Sequence, residues 1–351
     1  MPSLLKTVTR MKNTRVLIAD DSGFMRLLIS DILSENEGME VVGAAVDGKD
    51  AVQKVKELKP DVLLLDMNMG EYDGIYAVKN IMKAHPLPIL ILSSVGNTNL
   101  QPIFDALQEG AVDYLNKPSR GNAKMRLIET ELIQKIRSVT RAKPMAVKPH
   151  TKNTHQHTFD GKSKYDLVVI GASTGGPSAL EEVIVSLPSN LNVPVVIGQH
   201  MPTNFIAPFV KRLNKLSPLN VVVGTRDMEL KAGYIIIAPG NTNMVITSKA
   251  NRAKIDFTEE QYKEYNHPSI NSIMLSAAEV YGDKTLGVIL TGMGKDGVEG
   301  MKAIKAAGGF TIAQNEKSSI IYGMPKVAVQ CGAIDKSIDI KEIGSFIVNS
   351  L

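Results

Sequence analysis

One stretch of this chain cannot fold into a core. Residues 143–164 read KPMAVKPHTKNTHQHTFDGKSK, with two prolines, little apolar content and no hydrophobic period. Such a composition buries too little surface to offset the entropy of ordering it, so it reads as a flexible linker. The sequence on either side must then fold separately. A chain of 351 residues is long enough for that, since domains of about 100–150 residues are commonest. The linker also carries the charge. It holds five lysines and one aspartate, whereas 1–142 has 18 basic against 18 acidic residues and 165–351 has 17 against 17. The formal net charge of +4 is therefore a property of the linker, and neither folded half is basic enough to point to nucleic acid.

Hydrophobic content of 44% and charged content of 22% are those of a soluble globular chain. Cys331 is the single cysteine, so no internal disulfide or Cys-rich zinc site is expected, and a reducing cytoplasm is the natural compartment. No run of 18 apolar residues is present, so no membrane insertion is expected. Residues 1–13 read as an N-terminal extension without a signal-peptide apolar core, and either Met1 or Met11 can be the start.

Residues 14–142 alternate short apolar runs with helical patterns. Arg15–Ala19, Glu40–Ala45, Asp61–Leu65, Leu87–Leu92 and Ala111–Asn116 read as strands. Ser22 reads as an N-cap followed by the pattern Phe24, Leu27, Leu28, Ile32. Lys49–Leu58 is a helix with Ala51, Val52 and Val55 inward, stopped by Pro60, and Leu127–Val139 closes the set. Five strands alternating with five helices predict a doubly wound, mainly parallel sheet. In such a sheet, ligands bind beyond the carboxyl ends of the strands. Asp20 and Asp21 follow the first strand, Asp66 the third, Ser93 ends the fourth and Lys117-Pro118 follow the fifth. Three converging carboxylates repel one another unless a hard cation such as Mg²⁺ sits among them. A hydroxyl and a lysine opposite would hold a phosphoryl group.

These residues resemble the signature of a response-regulator receiver domain, a flavodoxin-like fold. The resemblance implies that Asp66 accepts phosphate from a chemotaxis histidine kinase. It also implies that Asp20, Asp21, Asp66 and the Asn68 carbonyl hold the metal. Ser93, Tyr114 and Lys117 would form the switch. Gly74 matches the family's glycine eight residues after the acceptor, and Gly70 stands where a proline is usual.

Beyond the linker, the α/β pattern restarts over 165–351. Tyr165–Ile170, Asn192–Gly198, Asn220–Gly224, Tyr234–Ala238, Met244–Thr247 and Thr285–Leu290 read as strands. Ser178–Ser186, Phe205–Lys215, Ser269–Tyr281 and Val298–Ala307 read as helices, with a small antiparallel excursion around 244–257. The first strand runs into Gly171-Ala172-Ser173-Thr174-Gly175, a Gly-x-Ser-x-Gly turn that exposes a serine at a helix N-terminus. A phosphate-binding loop is the competing reading. However, the dinucleotide pattern needs glycine at Ser173 and the Walker pattern needs lysine at Pro177.

Of six histidines, only His200 ends a strand on the edge that carries Ser173, so it is the candidate general base. Asp296, the only acid of the loop TGMGKDG, is the candidate orienting carboxylate; a helix-capping aspartate is the alternative. The order Ser, His, Asp differs from that of α/β-hydrolases, which argues against that fold but not against a triad; the fold class expected for this half is a Rossmann-like, doubly wound, mainly parallel sheet.

The stretches VIGASTGG, GQHMP, IIAPGN, LTGMGKDGVEGM and YGMPKVA resemble the catalytic domain of the chemotaxis protein-glutamate methylesterase (CheB) family. That resemblance implies a phosphorylation-activated serine hydrolase. Ser173 would be the nucleophile, His200 the base, Asp296 the orienter and the Met293 N–H the oxyanion donor. The Thr174 N–H, at the helix N-terminus, is a second donor. Its substrates would be glutamate methyl esters, and also glutamines, on the cytoplasmic helices of methyl-accepting chemoreceptors. No cofactor is needed for ester hydrolysis, and a monomer that does not bind DNA is expected.

Asn243, His267, Asn271 and Asn315 depart from common family residues, which bears on substrate contacts and receptor choice. Two other classes remain open: a non-enzymatic adaptor, which would not react with a serine-directed probe, and a receiver-linked transcription factor, which needs a basic helix-turn-helix that is not apparent. The linker lysines can make screened contacts with acidic receptor surface or anionic lipid. His150, His155 and His157 belong to that spacer rather than to a metal tract.

Overall fold

The computed structural model describes residues 13–94, 99–117, 128–142, 163–250, 252–262 and 267–351. They form two compact units, Met1–Ala146 and Val147–Leu351. Pro118 and the linker histidines lie outside the described residues.

The first unit runs β1 (Thr14–Ala19), α1 (Gly23–Ser34), β2 (Met39–Ala45), α2 (Gly48–Leu58), β3 (Val62–Asp66), α3 (Gly74–Ala84), β4 (Ile89–Ser94), α4 (Gln101–Gln108), β5 (Asp113–Lys117) and α5 (Glu129–Val139). The sheet order is β2-β1-β3-β4-β5, all parallel. Val62–Leu65 is fully buried because both faces of the sheet are covered. Burying each such side chain contributes about 1.5–3 kcal/mol relative to exposure. Ser22 caps α1 by accepting from the Met25 N–H at 3.4 Å, as expected. The inward face of α1 differs from the expected one. Ile29, Ile32 and Leu33 are buried, whereas Phe24 is 54% and Leu27 63% exposed. Apolar residues at helical spacing do not by themselves say which stripe meets the sheet. In α2, Ala51 and Val55 are buried while Val52 is only partly so.

The second unit runs β6 (Leu167–Ala172), α6 (Gly176–Val185), β7 (Val195–Gln199), α7 (Thr203–Leu216), β8 (Asn220–Val223), β9 (Tyr234–Ile237), β10 (Asn243–Lys249), β11 (Arg252–Thr258), α8 (Ile270–Tyr281), β12 (Thr285–Ile289), α9 (Val298–Ala306), β13 (Phe310–Gln314), α10 (Met324–Gln330), β14 (Lys336–Ile338) and α11 (Ile340–Ser350). Seven strands form one parallel sheet in the order β14-β13-β12-β6-β7-β9-β8. The antiparallel excursion is a separate hairpin of β10 and β11. Ile246 and Ile255 of that hairpin join Ile270, Ile273, Met274 and Ala277 of α8, and Val169 and Val196 of the sheet, in one core. Four elements lie beyond the helix predicted at 298–307. Of these, the strand of three residues and the helix of seven are too short to carry a clear period.

Candidate functional site

The strand order places the chemistry. In the second unit β6 lies between β12 and β7, so the connection from β6 to β7 and that from β12 to β13 run in opposite directions and open a crevice at the carboxyl ends of β6 and β12. Ser173 follows β6, His200 follows β7 and Asp296 lies in the loop after β12. These three residues, predicted from separate segments, meet there. The His200 Nδ1 is 3.0 Å from the Ser173 Oγ. Its Nε2 is 2.8 Å from the Asp296 Oδ2. A carboxylate only accepts, so Nε2 carries the ring proton and Nδ1 presents its lone pair to the serine hydroxyl.

The elbow is built by long-range backbone bonds. The Ser173 N–H donates to the Thr291 carbonyl at 3.0 Å. The Thr291 hydroxyl donates to the Thr174 carbonyl at 3.0 Å. Gly175 adopts φ 75°, open to glycine at little cost, and lets the chain turn into α6. Gly292 is required for a different reason: a Cβ there would lie 2.7 Å from the Ser173 Cβ and 2.4 Å from the Met324 Sδ. The loop of Gly292 thus lies directly against Ser173, with the Met293 side chain outside at 42% exposure. Thr174 is buried at the start of the turn.

Asp296 is 1% exposed. Its Oδ2 also accepts from the Ile270 N–H at 2.7 Å. Its Oδ1 accepts from the Asn271 N–H at 3.0 Å, the Gly297 N–H at 2.9 Å and the Ser269 hydroxyl at 3.2 Å. Burial alone would raise this carboxyl. The imidazole and the backbone N–H groups of Ile270 and Asn271 outweigh burial and hold it below the ordinary carboxylate range. The capping alternative is thereby resolved in an unexpected way. The N-cap of the following helix α9 is Gly297, and Asp296 instead sits at the N-terminus of α8, where a negative charge is favoured.

Several supporting residues have no recognisable local signature. Gln199, buried at the end of β7, donates from Nε2 to the Ser173 carbonyl at 3.1 Å and to the His200 carbonyl at 2.9 Å. Gln314 of β13 accepts from the Thr291 N–H at 2.8 Å. Two of the departures from the family pattern also prove to be internal. Asn243 is 1% and Asn271 3% exposed. The Asn271 Oδ1 accepts from the Gly300 N–H at 2.9 Å, and the Asn243 Oδ1 from the Ser269 N–H at 2.8 Å. Both therefore lie inside the fold, on the segment that bonds Asp296 or against its N-cap. Asn315 caps its own turn, accepting from the Ser318 N–H at 2.9 Å. His267 is exposed, with Nδ1 3.3 Å from the Asn243 Oδ1.

The first unit has a second site at its own β1/β3 switch point. Asp20, Asp21 and Asp66 bring ligand oxygens within 4.8 Å of one another. The Lys117 Nζ pairs with the Asp20 Oδ2 and lies 3.0 Å from the Asp66 Oδ2. Burial holds the Asp66 carboxyl above its ordinary range; Lys117 and the Asn68 N–H offset this only in part, and Asp20 adds to it. The Asp66 Oδ1 and the Ser93 Oγ are both buried without a partner among the described residues. Orphaned oxygens beside clustered carboxylates fit a pocket that takes an oxygen-ligated cation and a phosphoryl group. Tyr114 is buried, which raises its hydroxyl well above its usual value, and the Lys135 Nζ lies 5.6 Å from its ring centroid. Gly70 adopts φ 75°, which the proline usual there cannot. Gly74 fits because a Cβ would lie 2.7 Å from the Asp66 carbonyl.

No helix among the described residues is long and apolar enough to cross a membrane. Residues 16–129 match the response regulator receiver domain model and residues 168–347 the CheB methylesterase model. A protein-glutamate methylesterase/protein-glutamine glutaminase of Carboxydothermus hydrogenoformans is 39% identical over 345 residues, covering 97% of this chain and 100% of the relative. One from Archaeoglobus fulgidus is 38% identical over 342 residues, covering 96% and 98%. The crystal structure of the Thermotoga maritima CheB methylesterase catalytic domain aligns with a TM-score of 0.52 at 34% identity, covering 53% of this chain and 99% of that one. With a Ser173-His200-Asp296 cluster in one unit and a receiver-type acidic pocket in the other, the chain belongs to the CheB methylesterase family.

Proposed function

We propose that this chain is a phosphorylation-activated serine hydrolase that demethylates glutamate methyl esters, and deamidates glutamines, on the cytoplasmic helices of chemoreceptors. The carrying observation is the continuous line Ser173 Oγ, His200 Nδ1, His200 Nε2, Asp296 Oδ2 at 3.0 and 2.8 Å. The names of the relatives supply the substrate class.

In this reading Ser173 attacks the ester carbonyl carbon as its proton passes to His200 Nδ1. Asp296 holds the ring by Nε2–H and stabilises the imidazolium. The N–H groups of Met293 and Thr174 receive the developing oxyanion. The imidazolium then protonates the leaving methoxide, or the leaving amine of a glutamine, and water delivered through the same nitrogen releases the glutamate. No cofactor takes part in these steps.

Residues 14–142 would act as the receiver, 143–164 as the tether and 165–351 as the catalytic domain, with residues 1–13 as an extension. Asp66 takes phosphate from a chemotaxis histidine kinase. Asp20, Asp21, Asp66 and Asn68 would hold Mg²⁺, which when bound supplies charge neutralisation for phosphoryl transfer. Ser93 and Lys117 orient the phosphoryl group and Tyr114 responds to it. The protein acts in the cytoplasm as a monomer.

The test is methanol release from methylated receptor fragments, together with labelling by a fluorophosphonate. Ser173→Ala is expected to abolish labelling and to lower release by several orders of magnitude. Wild-type-like release by that variant rejects the reading.

A further inference from the structure

Asp296 is oriented mainly by a segment far from it in sequence, and the N-cap of that segment is held by a buried side chain. Three of its donors, the Ser269 hydroxyl and the N–H groups of Ile270 and Asn271, come from the first turn of α8 and its N-cap. The Ser269 N–H is in turn fixed by the Asn243 Oδ1 at 2.8 Å. Asn243 opens β10, and its Nδ2 donates to the Glu260 carbonyl, just beyond β11, at 2.8 Å. Its amide therefore ties the base of the hairpin to the N-cap of the helix that cradles the carboxylate. With Asn243 1% exposed, neither bond is easily replaced by water.

We infer that Asn243 is a positioning residue for catalysis, acting through the chain Asn243, Ser269 and Asp296 to set the angle at which His200 meets Ser173. It touches no reacting atom. The inference rests on the proposed triad chemistry.

The physical argument concerns pre-organisation. A carboxylate can rotate about its own bond unless both oxygens are pinned. Here Oδ1 takes three donors and Oδ2 takes one besides the imidazole. Only the Gly297 bond comes from the loop of Asp296 itself. If the N-cap loses Asn243, the other three donors share the freedom of a helix start whose first turn keeps its Asn271 and Ser272 bonds but whose cap is no longer fixed. A small drift there moves the imidazole off the line to the Ser173 Oγ, and misplacement of about 1 Å can cost on the order of 10²-fold in rate. An imidazole at position 243 also combines one acceptor nitrogen with one N–H donor, so it can make the same two ties.

The experiment uses the full chain. Wild type, Asn243→Ala and Asn243→His are compared by the rate of fluorophosphonate labelling at Ser173, by kcat and KM for methanol release, and by near-UV circular dichroism to count folded protein. We expect Asn243→Ala to lower labelling and kcat together by roughly 10- to 100-fold per folded molecule. KM should stay within about twofold, and Asn243→His should restore most of the loss. If Asn243→Ala does not fold, Asn243→Thr, closer in volume but too short to bridge both elements, carries the same expectation. Wild-type labelling in the folded variant, or a loss confined to KM, overturns the inference and leaves the triad standing. A wild-type chain that does not label at Ser173 overturns both.

Discussion

Replacing Asp296 by asparagine tests the site most sharply, because the structure says which way the new amide must turn. The carboxylate accepts five bonds. Those from His200 Nε2 and the Ile270 N–H go to Oδ2, and those from the Ser269 hydroxyl and the Asn271 and Gly297 N–H groups go to Oδ1. Placing the amide NH₂ at the Oδ1 position sets it against two backbone donors. Placing it at Oδ2 sets it against one. Each buried clash of this kind costs about 1–3 kcal/mol, so the second orientation wins by about one such clash. Its NH₂ then donates to His200 Nε2, which drives the ring proton onto Nδ1, the nitrogen facing Ser173. A protonated Nδ1 cannot take the serine proton. Trapping the wrong tautomer in this way costs about 10⁴ in kcat, or about 5.4 kcal/mol of barrier. The assay is methanol release and fluorophosphonate labelling of Asp296→Asn, with folding followed by circular dichroism. Activity within about tenfold of wild type in a folded variant would falsify the tautomer argument.

Other consequences are open to direct measurement. Gly292→Ala places a methyl group 2.7 Å from the Ser173 Cβ and 2.4 Å from the Met324 Sδ. It should lose labelling while the receiver unit keeps its phosphodonor response; unaltered labelling would mean that the loop does not lie against the elbow. Asp296 also predicts an acid dependence of stability. Its folded carboxyl lies below the usual range, so its contribution is complete above about pH 4, the unfolded value, and is lost as pH falls through the folded one. Urea unfolding from pH 6 downward should show a shallower acid slope in Asp296→Asn than in wild type; equal slopes would show that the carboxylate is not held as described. In the receiver, Asp66→Asn should remove the rise in methanol release caused by a small phosphodonor with Mg²⁺, and removing residues 1–142 should raise basal release. A donor response that survives in Asp66→Asn places the acceptor elsewhere.

Much of both sites could be read along the chain because each proposed catalytic side chain sits in a local motif. The turn GASTGG encodes its own geometry, an apolar strand ending in Gln199-His200 points the base to a strand end, and Asp20-Asp21 and Asp66 close runs of buried aliphatic residues. The inward face of α1 was not legible, because Phe24 and Leu27 are as apolar as the residues that are buried. Nor were Gln199, Thr291 and Gln314 legible as supports of the elbow, since a polar residue at a strand end is ordinary until its partner is known.

By itself, the sequence determined that the chain folds as two α/β units and which side chains crowd each strand edge, because strand alternation and turn chemistry act over a few residues. Tertiary structure alone decided that β6 lies between β12 and β7, that Nδ1 rather than Nε2 faces Ser173, and that Asp296 rests on the start of α8. The physical reason is the same in each case. These bonds join the chain at separations of 25 to 27 residues for the Asp296 cradle and 96 for His200 to Asp296. Many of the donors are backbone N–H groups, which every non-proline residue carries and no sequence motif records.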